Sequence, residues 1–153
     1  MERLAHHARL EWEGSTGVGY RAYSRNHSAT AAPASASLQL SADPHFKGDA
    51  TLLNPEQLIV LAASSCQMLS FLSLAARKHL DVVAYTDDAT GYLSEDLRKA
   101  SIEQITLNPT ITVTEGTDEG LVRELVEQGH DECYIANSLN STITITPTIV
   151  FAG

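Results

Sequence analysis

Residues 58–76 form a nineteen-residue stretch without one charged side chain, introduced by Asn54-Pro55-Glu56-Gln57. Asn54 offers an N-cap, Pro55 suits the first helical position, and Gln57 completes a capping box, so a helix is expected from here to about His79. Arg77, Lys78 and His79 then complement the negative end of its dipole. A helix this apolar is expected to be buried on nearly all sides, in a core or an oligomer interface, unless it spans a membrane. Ser64, Ser65, Gln67, Ser70 and Ser73 interrupt it and no second candidate span follows, which favours core or interface over bilayer.

The flanking patterns are those of an α+β protein. Leu4, Ala8, Leu10 and Trp12 share even positions, as on one strand face, and 13–17 reads as a turn. A second strand over 18–30, a loop over 31–36 and a short strand over 37–42 complete an N-terminal antiparallel meander. After the long helix, strands are expected over 82–93 and 102–113, with Pro109 marking an edge or bulge. A second helix over 118–133 places Val122, Val126, Gly129 and Cys133 on one stripe, and 141–151 alternates as a final strand. No repeat or linker divides the chain, so one domain over 1–153 is expected.

Composition narrows the function classes. A net charge of −9 and an acidic pI argue against nonspecific binding to nucleic acid or an anionic membrane. Met1 to His7 hold no apolar signal core, and two cysteines without export point to a reducing cytoplasm rather than a disulfide scaffold.

The chemistry-bearing residues leave alternatives open. Cys66 lies with Ile59, Ala62, Leu69 and Ser73 on one helical face, and free cysteines are commonly inert packing groups. Reactivity needs a nearby cation to stabilise the thiolate, and none lies within one turn, so it must come from elsewhere in the fold. Cys133 closes the stripe of the second helix, and spacing alone does not bring two distant thiols to bridging distance. His130 and Cys133 form an H-x-x-C pair to which Cys66 would add a metal ligand, but no full ligand quartet is present. A Cys–His hydrolase using Cys66 with His130 or His27 has less support. His6, His7 and His45 read as surface groups, and Arg21 and Arg25 share one face of the second expected strand.

Asn54-Pro55-Glu56-Gln57-Leu58 followed by Ala62-Ala63-Ser64-Ser65-Cys66 resembles the signature of the OsmC/Ohr family of thiol peroxidases, with the helix start ten residues before the peroxidatic cysteine. The segment from Cys133 to Ser138 resembles the family's second motif, and 23–27 the strand that brings the catalytic arginine in one branch. Tyr134 departs from the proline that follows the second cysteine in many members. The resemblance implies that Cys66 attacks an organic hydroperoxide, alkyl or lipid, leaving a sulfenic acid. It also implies that Arg25 activates the thiol, Glu56 holds the guanidinium in a bidentate ion pair, and Cys133 resolves the sulfenic acid to a disulfide. The family chemistry needs no resident cofactor. The reductant is an external dithiol, typically a lipoylated protein in the Ohr branch.

The family also implies a tight, intertwined homodimer, and helix geometry supplies an independent reason for one. Ten residues place Glu56 about 15 Å from Cys66 along a continuous helix and about 80° around it. An arginine held by Glu56 is therefore expected to serve the Cys66 of another subunit. Leu58, Leu61, Met68, Leu69 and Phe71 are candidates for lining an apolar substrate pocket. The competing reading is a non-enzymatic dimer that binds a hydrophobic ligand and keeps both cysteines as packing groups.

Overall fold

The capping box forms reciprocally. The Asn54 N–H donates to Gln57 Oε1 and the Gln57 N–H to Asn54 Oδ1, both at 2.9 Å, and α1 runs unbroken over Pro55–Arg77. The helix stops two residues before His79. His79 takes a left-handed conformation with φ 59°, its N–H donates to the Ala76 carbonyl, and the Leu80 N–H reaches back to the Ala75 carbonyl. This pair of bonds satisfies the last carbonyls of the helix as a Schellman motif does, with histidine where glycine is usual.

The structure, a computed structural model, describes residues 2–153. The chain divides into two compact units, Met1–Leu58 and Ile59–Gly153. In the first, β1 (Arg9–Glu11), β2 (His27–Thr30) and β3 (Ser37–Leu40) pair antiparallel in sequence order, which is the expected meander. Its strands are shorter than the alternation suggested. Residues 2–22 are exposed throughout, so only three residues of the first pattern are drawn into the sheet. The second strand begins at His27 instead of Val18. Thr16–Val18 is a 3-10 turn closed by Gly19 at φ 100°, a conformation suited to glycine, and Arg21 lies in the following turn. Arg21 and Arg25 therefore do not share a strand face.

Another glycine of this unit has no room for a side chain. A Cβ on Gly48 would overlap the Ala42 backbone carbonyl. Gly48→Ala is expected to destabilise the protein by about 2–4 kcal/mol through the backbone shift it forces, read as a lowered urea midpoint at unchanged slope.

In the second unit each long strand expected from sequence is broken once. The unit contains β4 (Val82–Asp87), β5 (Thr90–Leu93), β6 (Ile102–Leu107), β7 (Pro109–Thr114), β8 (Thr142–Ile145) and β9 (Thr148–Ala152). They form two three-stranded sheets, β4-β7-β9 and β5-β6-β8. The final pair runs parallel to its neighbours, and the other pairings are antiparallel. The breaks are bonded to one another: the Asn108 N–H donates to Asp87 Oδ1 at 2.6 Å, the Asn108 side-chain amide to the Asp88 carbonyl, and the Thr146 N–H to the Leu107 carbonyl. Pro109 and Pro147 stand just past two of these points, where neither has a ladder hydrogen to donate.

The two sheets give α1 two successive packing surfaces. Phe71, Leu74 and Ala75 join Ile111, Val113, Val122, Leu125 and Val126 in one buried cluster, while Ala63 joins Ile105 and Leu107 in the other. Helix α2 (Glu119–Asp131) is capped by Asp118 and buries Val122, Leu125, Val126 and Gly129. It is followed by a five-residue helix, α3 (Tyr134–Ser138), which the sequence pattern did not suggest.

Within the chain α1 is buried along one stripe only, Ala63, Gln67, Phe71, Leu74 and Ala75. The core of a single chain does not by itself bury the helix on nearly all sides: Leu61 is 54% and Leu69 60% exposed. The helix is long and apolar enough to cross a membrane by length and composition. Its inward stripe, however, carries a buried glutamine amide bonded to α2.

Candidate active site

Cys66 stands at the middle of α1, half-buried beside the inward stripe, and Cys133 follows α2 with only 1% of its surface exposed. Both are free thiols. Cys66 is close enough to Cys133 to contribute to a shift of its pKa. Burial first, and then the Cys66 thiol, push the Cys133 pKa above the ordinary thiol range, against the pull of the Ala136 N–H. That N–H donates to Cys133 Sγ at 3.4 Å, so the sulfur itself caps α3. The result is a half-buried thiol near a buried one whose pKa is raised.

The turn of α1 that carries Cys66 is pinned on two sides. The Ser64 hydroxyl donates to Asp87 Oδ2 at 2.5 Å, while the other oxygen of that carboxylate accepts the Asn108 N–H at the strand break. On the inward face Gln67 donates its side-chain amide to the Val126 carbonyl of α2 at 3.0 Å. Gly129 of α2 sits against the same place, where a Cβ would lie 3.2 Å from the Phe71 nitrogen and 3.4 Å from Gln67 Nε2. Sequence reading passed over Ser64, Asp87 and Gln67, because their value lies in partners 21 to 59 residues away.

Arg25 and Glu56 belong to the first unit. Both line a cavity of about 210 Å³ with His27, Ser41, Asp43 and Phe46. The bidentate ion pair expected between them is not formed. The Arg25 guanidinium donates at 2.6 Å to the Tyr23 carbonyl and at 2.6 Å to the Tyr20 carbonyl, and it stacks 3.6 Å from the centre of the Tyr23 ring. Backbone carbonyls of its own turn thus occupy donors that a carboxylate would take. A second cavity, about 360 Å³, shares Arg25 and His27 and adds Leu10, Trp12, Thr16 and Tyr23.

The apolar residues expected to line a pocket are placed differently. Phe71 is fully buried in the core, and Leu61 and Leu69 are surface-exposed. Trp12 and Tyr23 line the larger cavity beside Arg25, and nothing in the alternation pattern distinguished those two from ordinary strand residues. Among the described residues no three His, Cys, Asp or Glu side chains cluster as metal ligands would.

Two free cysteines, one on a long helix and one just past the end of a second, with two three-stranded sheets packed on the long helix, define a class of α+β protein. The family model described as OsmC-like protein matches residues 48–148. The chain belongs to that family. Solved structures agree with the assignment across nearly the whole length. An OsmC-like protein of unknown function from Vibrio cholerae is 28% identical, with a TM-score of 0.84 over 95% of this chain and 99% of that one. An organic hydroperoxide resistance protein from Elizabethkingia anophelis shares the fold at 17% identity and a TM-score of 0.69, covering 99% and 100%. The organic hydroperoxide resistance protein OhrB of Bacillus subtilis does so at 13% and 0.62, covering 95% and 98%. Comparison with curated proteins found no match.

Proposed function

We propose that this chain is a thiol peroxidase that reduces organic hydroperoxides to alcohols. The observation that carries the reading is a half-buried free thiol, Cys66, with a buried free thiol, Cys133, near enough to feel it, in a chain of the OsmC-like family. The Cys66 thiolate attacks the distal oxygen of R–O–O–H. The O–O bond breaks, the sulfur gains OH as a sulfenic acid, and the alkoxide leaves to take a proton from solvent. Cys133 then forms a bond to the Cys66 sulfur, hydroxide departs and becomes water with the Cys133 proton, and a disulfide results. An external dithiol restores both thiols and is itself oxidised to a disulfide, so the cycle uses no resident cofactor.

The activating charge is assigned to Arg25, with Glu56 opposite it across the smaller cavity. Glu56 stands ten residues before Cys66 on an unbroken helix, about 15 Å along its axis. Two copies of the chain therefore make each site, Arg25 and Glu56 from one subunit serving the Cys66 of the other. The exposed Leu61 and Leu69 give α1 an apolar face suited to such a dimer.

Thiol counting tests the reading. One equivalent of cumene hydroperoxide is expected to remove both titratable thiols per chain within seconds at micromolar protein, with cumyl alcohol as product. Two thiols remaining after minutes would refute it, and a hydrophobic-ligand-binding protein would show that result.

A further inference from the structure

Gln67 neighbours Cys66 in the chain and is turned into the core. It is 1% exposed, its amide nitrogen donates to the Val126 carbonyl, and its carbonyl oxygen Oε1 is buried with no partner. A buried acceptor left unpaired weakens a fold, so a glutamine here is a poor choice for packing alone. An apolar side chain of the same length would fill the space without that cost. What the glutamine adds is a single bond across the helix pair, at a defined height.

That height matters for the dithiol. Val126 and Gly129 lie three residues apart on α2, and Cys133 follows two residues past its end at Asp131. The Gln67 bond grips the first, and the absent side chain of Gly129 admits α1 at the second, where a Cβ would press on the Phe71 nitrogen. Cys133 comes directly after that helix end, near the thiol of the residue before Gln67. We infer that Gln67, working against Gly129, is the positioning residue of the dithiol: it sets the separation and register of α1 and α2 so that Cys66 and Cys133 lie within bonding reach. It touches neither the substrate nor the reacting oxygen. Its role is to raise the effective concentration of one thiol at the other, which is acutely sensitive to misplacement of a fraction of an ångström to an ångström.

The inference gives a role to the resolving step of the proposed peroxidase, yet it can be read without any peroxide. In a glutathione redox buffer the protein disulfide and two reduced glutathiones exchange with the protein dithiol and one oxidised glutathione. The equilibrium ratio gives the effective concentration of Cys66 for Cys133. Gln67→Met, which keeps the volume and removes both the bond and the unpaired oxygen, is expected to lower that concentration about tenfold to a hundredfold while leaving the urea midpoint nearly unchanged. Gly129→Ala, which forces the helices apart from the other side, is expected to lower it similarly.

Equal effective concentrations in wild type and Gln67→Met would overturn the inference, as would a Gln67→Met chain that fails to fold, because the side chain would then be a structural requirement. The peroxidase reading fails separately. A wild-type protein inert to cumene hydroperoxide, yet showing the Gln67-dependent glutathione equilibrium, keeps the positioning role and loses the peroxidase.

Discussion

Cys66→Ser is expected to reduce hydroperoxide turnover by roughly a thousandfold or more, since removing a nucleophile leaves only background chemistry. Cys133→Ser separates the two steps. It should consume one equivalent of hydroperoxide per chain, gain roughly 16 Da as the sulfenic acid and then roughly 32 Da as the sulfinic acid under excess oxidant, and cease turnover. Intact-protein mass spectrometry after mixing with cumene hydroperoxide checks both outcomes. Full steady-state activity in Cys133→Ser would remove that residue from the cycle.

The environment of Cys133 adds a pH signature to the same experiment. Burial and the Cys66 thiol hold its pKa above the ordinary value, so its thiolate is scarce near neutrality. Oxidation of Cys66 removes the second of these influences. Disulfide formation from the sulfenic acid should still accelerate with pH, by roughly tenfold per unit while the pH stays below the Cys133 pKa. The linkage has the opposite sign for stability. The folded state keeps a proton that the unfolded chain gives up first, so the contribution of this thiol to stability is fully present below the unfolded pKa. It is lost as pH rises through the folded value.

Mixing inactive subunits is expected to restore activity. If Arg25 of one subunit serves Cys66 of the other, a dimer of one Cys66→Ser and one Arg25→Ala chain holds one site with both defects and one site intact. Equal amounts refolded together give half heterodimers at random, hence about a quarter of wild-type activity. Each variant alone should retain roughly a hundredth or less, from the loss of nucleophile or of the charge that stabilises the thiolate and the departing alkoxide. With both groups supplied by one subunit, every heterodimer site is broken and the mixture stays inactive. Turnover of cumene hydroperoxide in the mixture, compared with the sum of the two variants, decides between these arrangements.

The parts of the fold legible in the chain were those set by neighbours in sequence. Asn54, Pro55 and Gln57 specify the start of α1 because a capping box needs only residues three apart, and the bonds form as expected. Asp118 caps α2, and Val122, Val126 and Gly129 of the expected stripe are buried along it, because helical spacing is local, but the helix ends at Asp131 and Cys133, also buried, stands beyond it as the cap of α3. Of the breaks in the strands only the one at Pro109 left a mark in the sequence. Alternation runs straight through 82–93 and 141–151, and it takes the bond from Asn108 to Asp87 to show where one sheet gives way to the other. The N-terminal segment misled for a related reason, since alternation predicts a strand face only where something covers it, and residues 2–22 remain exposed.

The site divides in the same way. By itself the sequence determined the charge-free helix, its start, the two cysteines on apolar stripes and, through its motifs, the family. Those are properties of residue type and short spacing. Only the tertiary structure decided that Cys66 lies near Cys133, that Arg25 is held by the Tyr20 and Tyr23 carbonyls and not by Glu56, and that Gln67 grips α2 beside Gly129. Each depends on elements packed across tens of residues or on which acceptor wins a guanidinium, and short-range pattern carries no information about either.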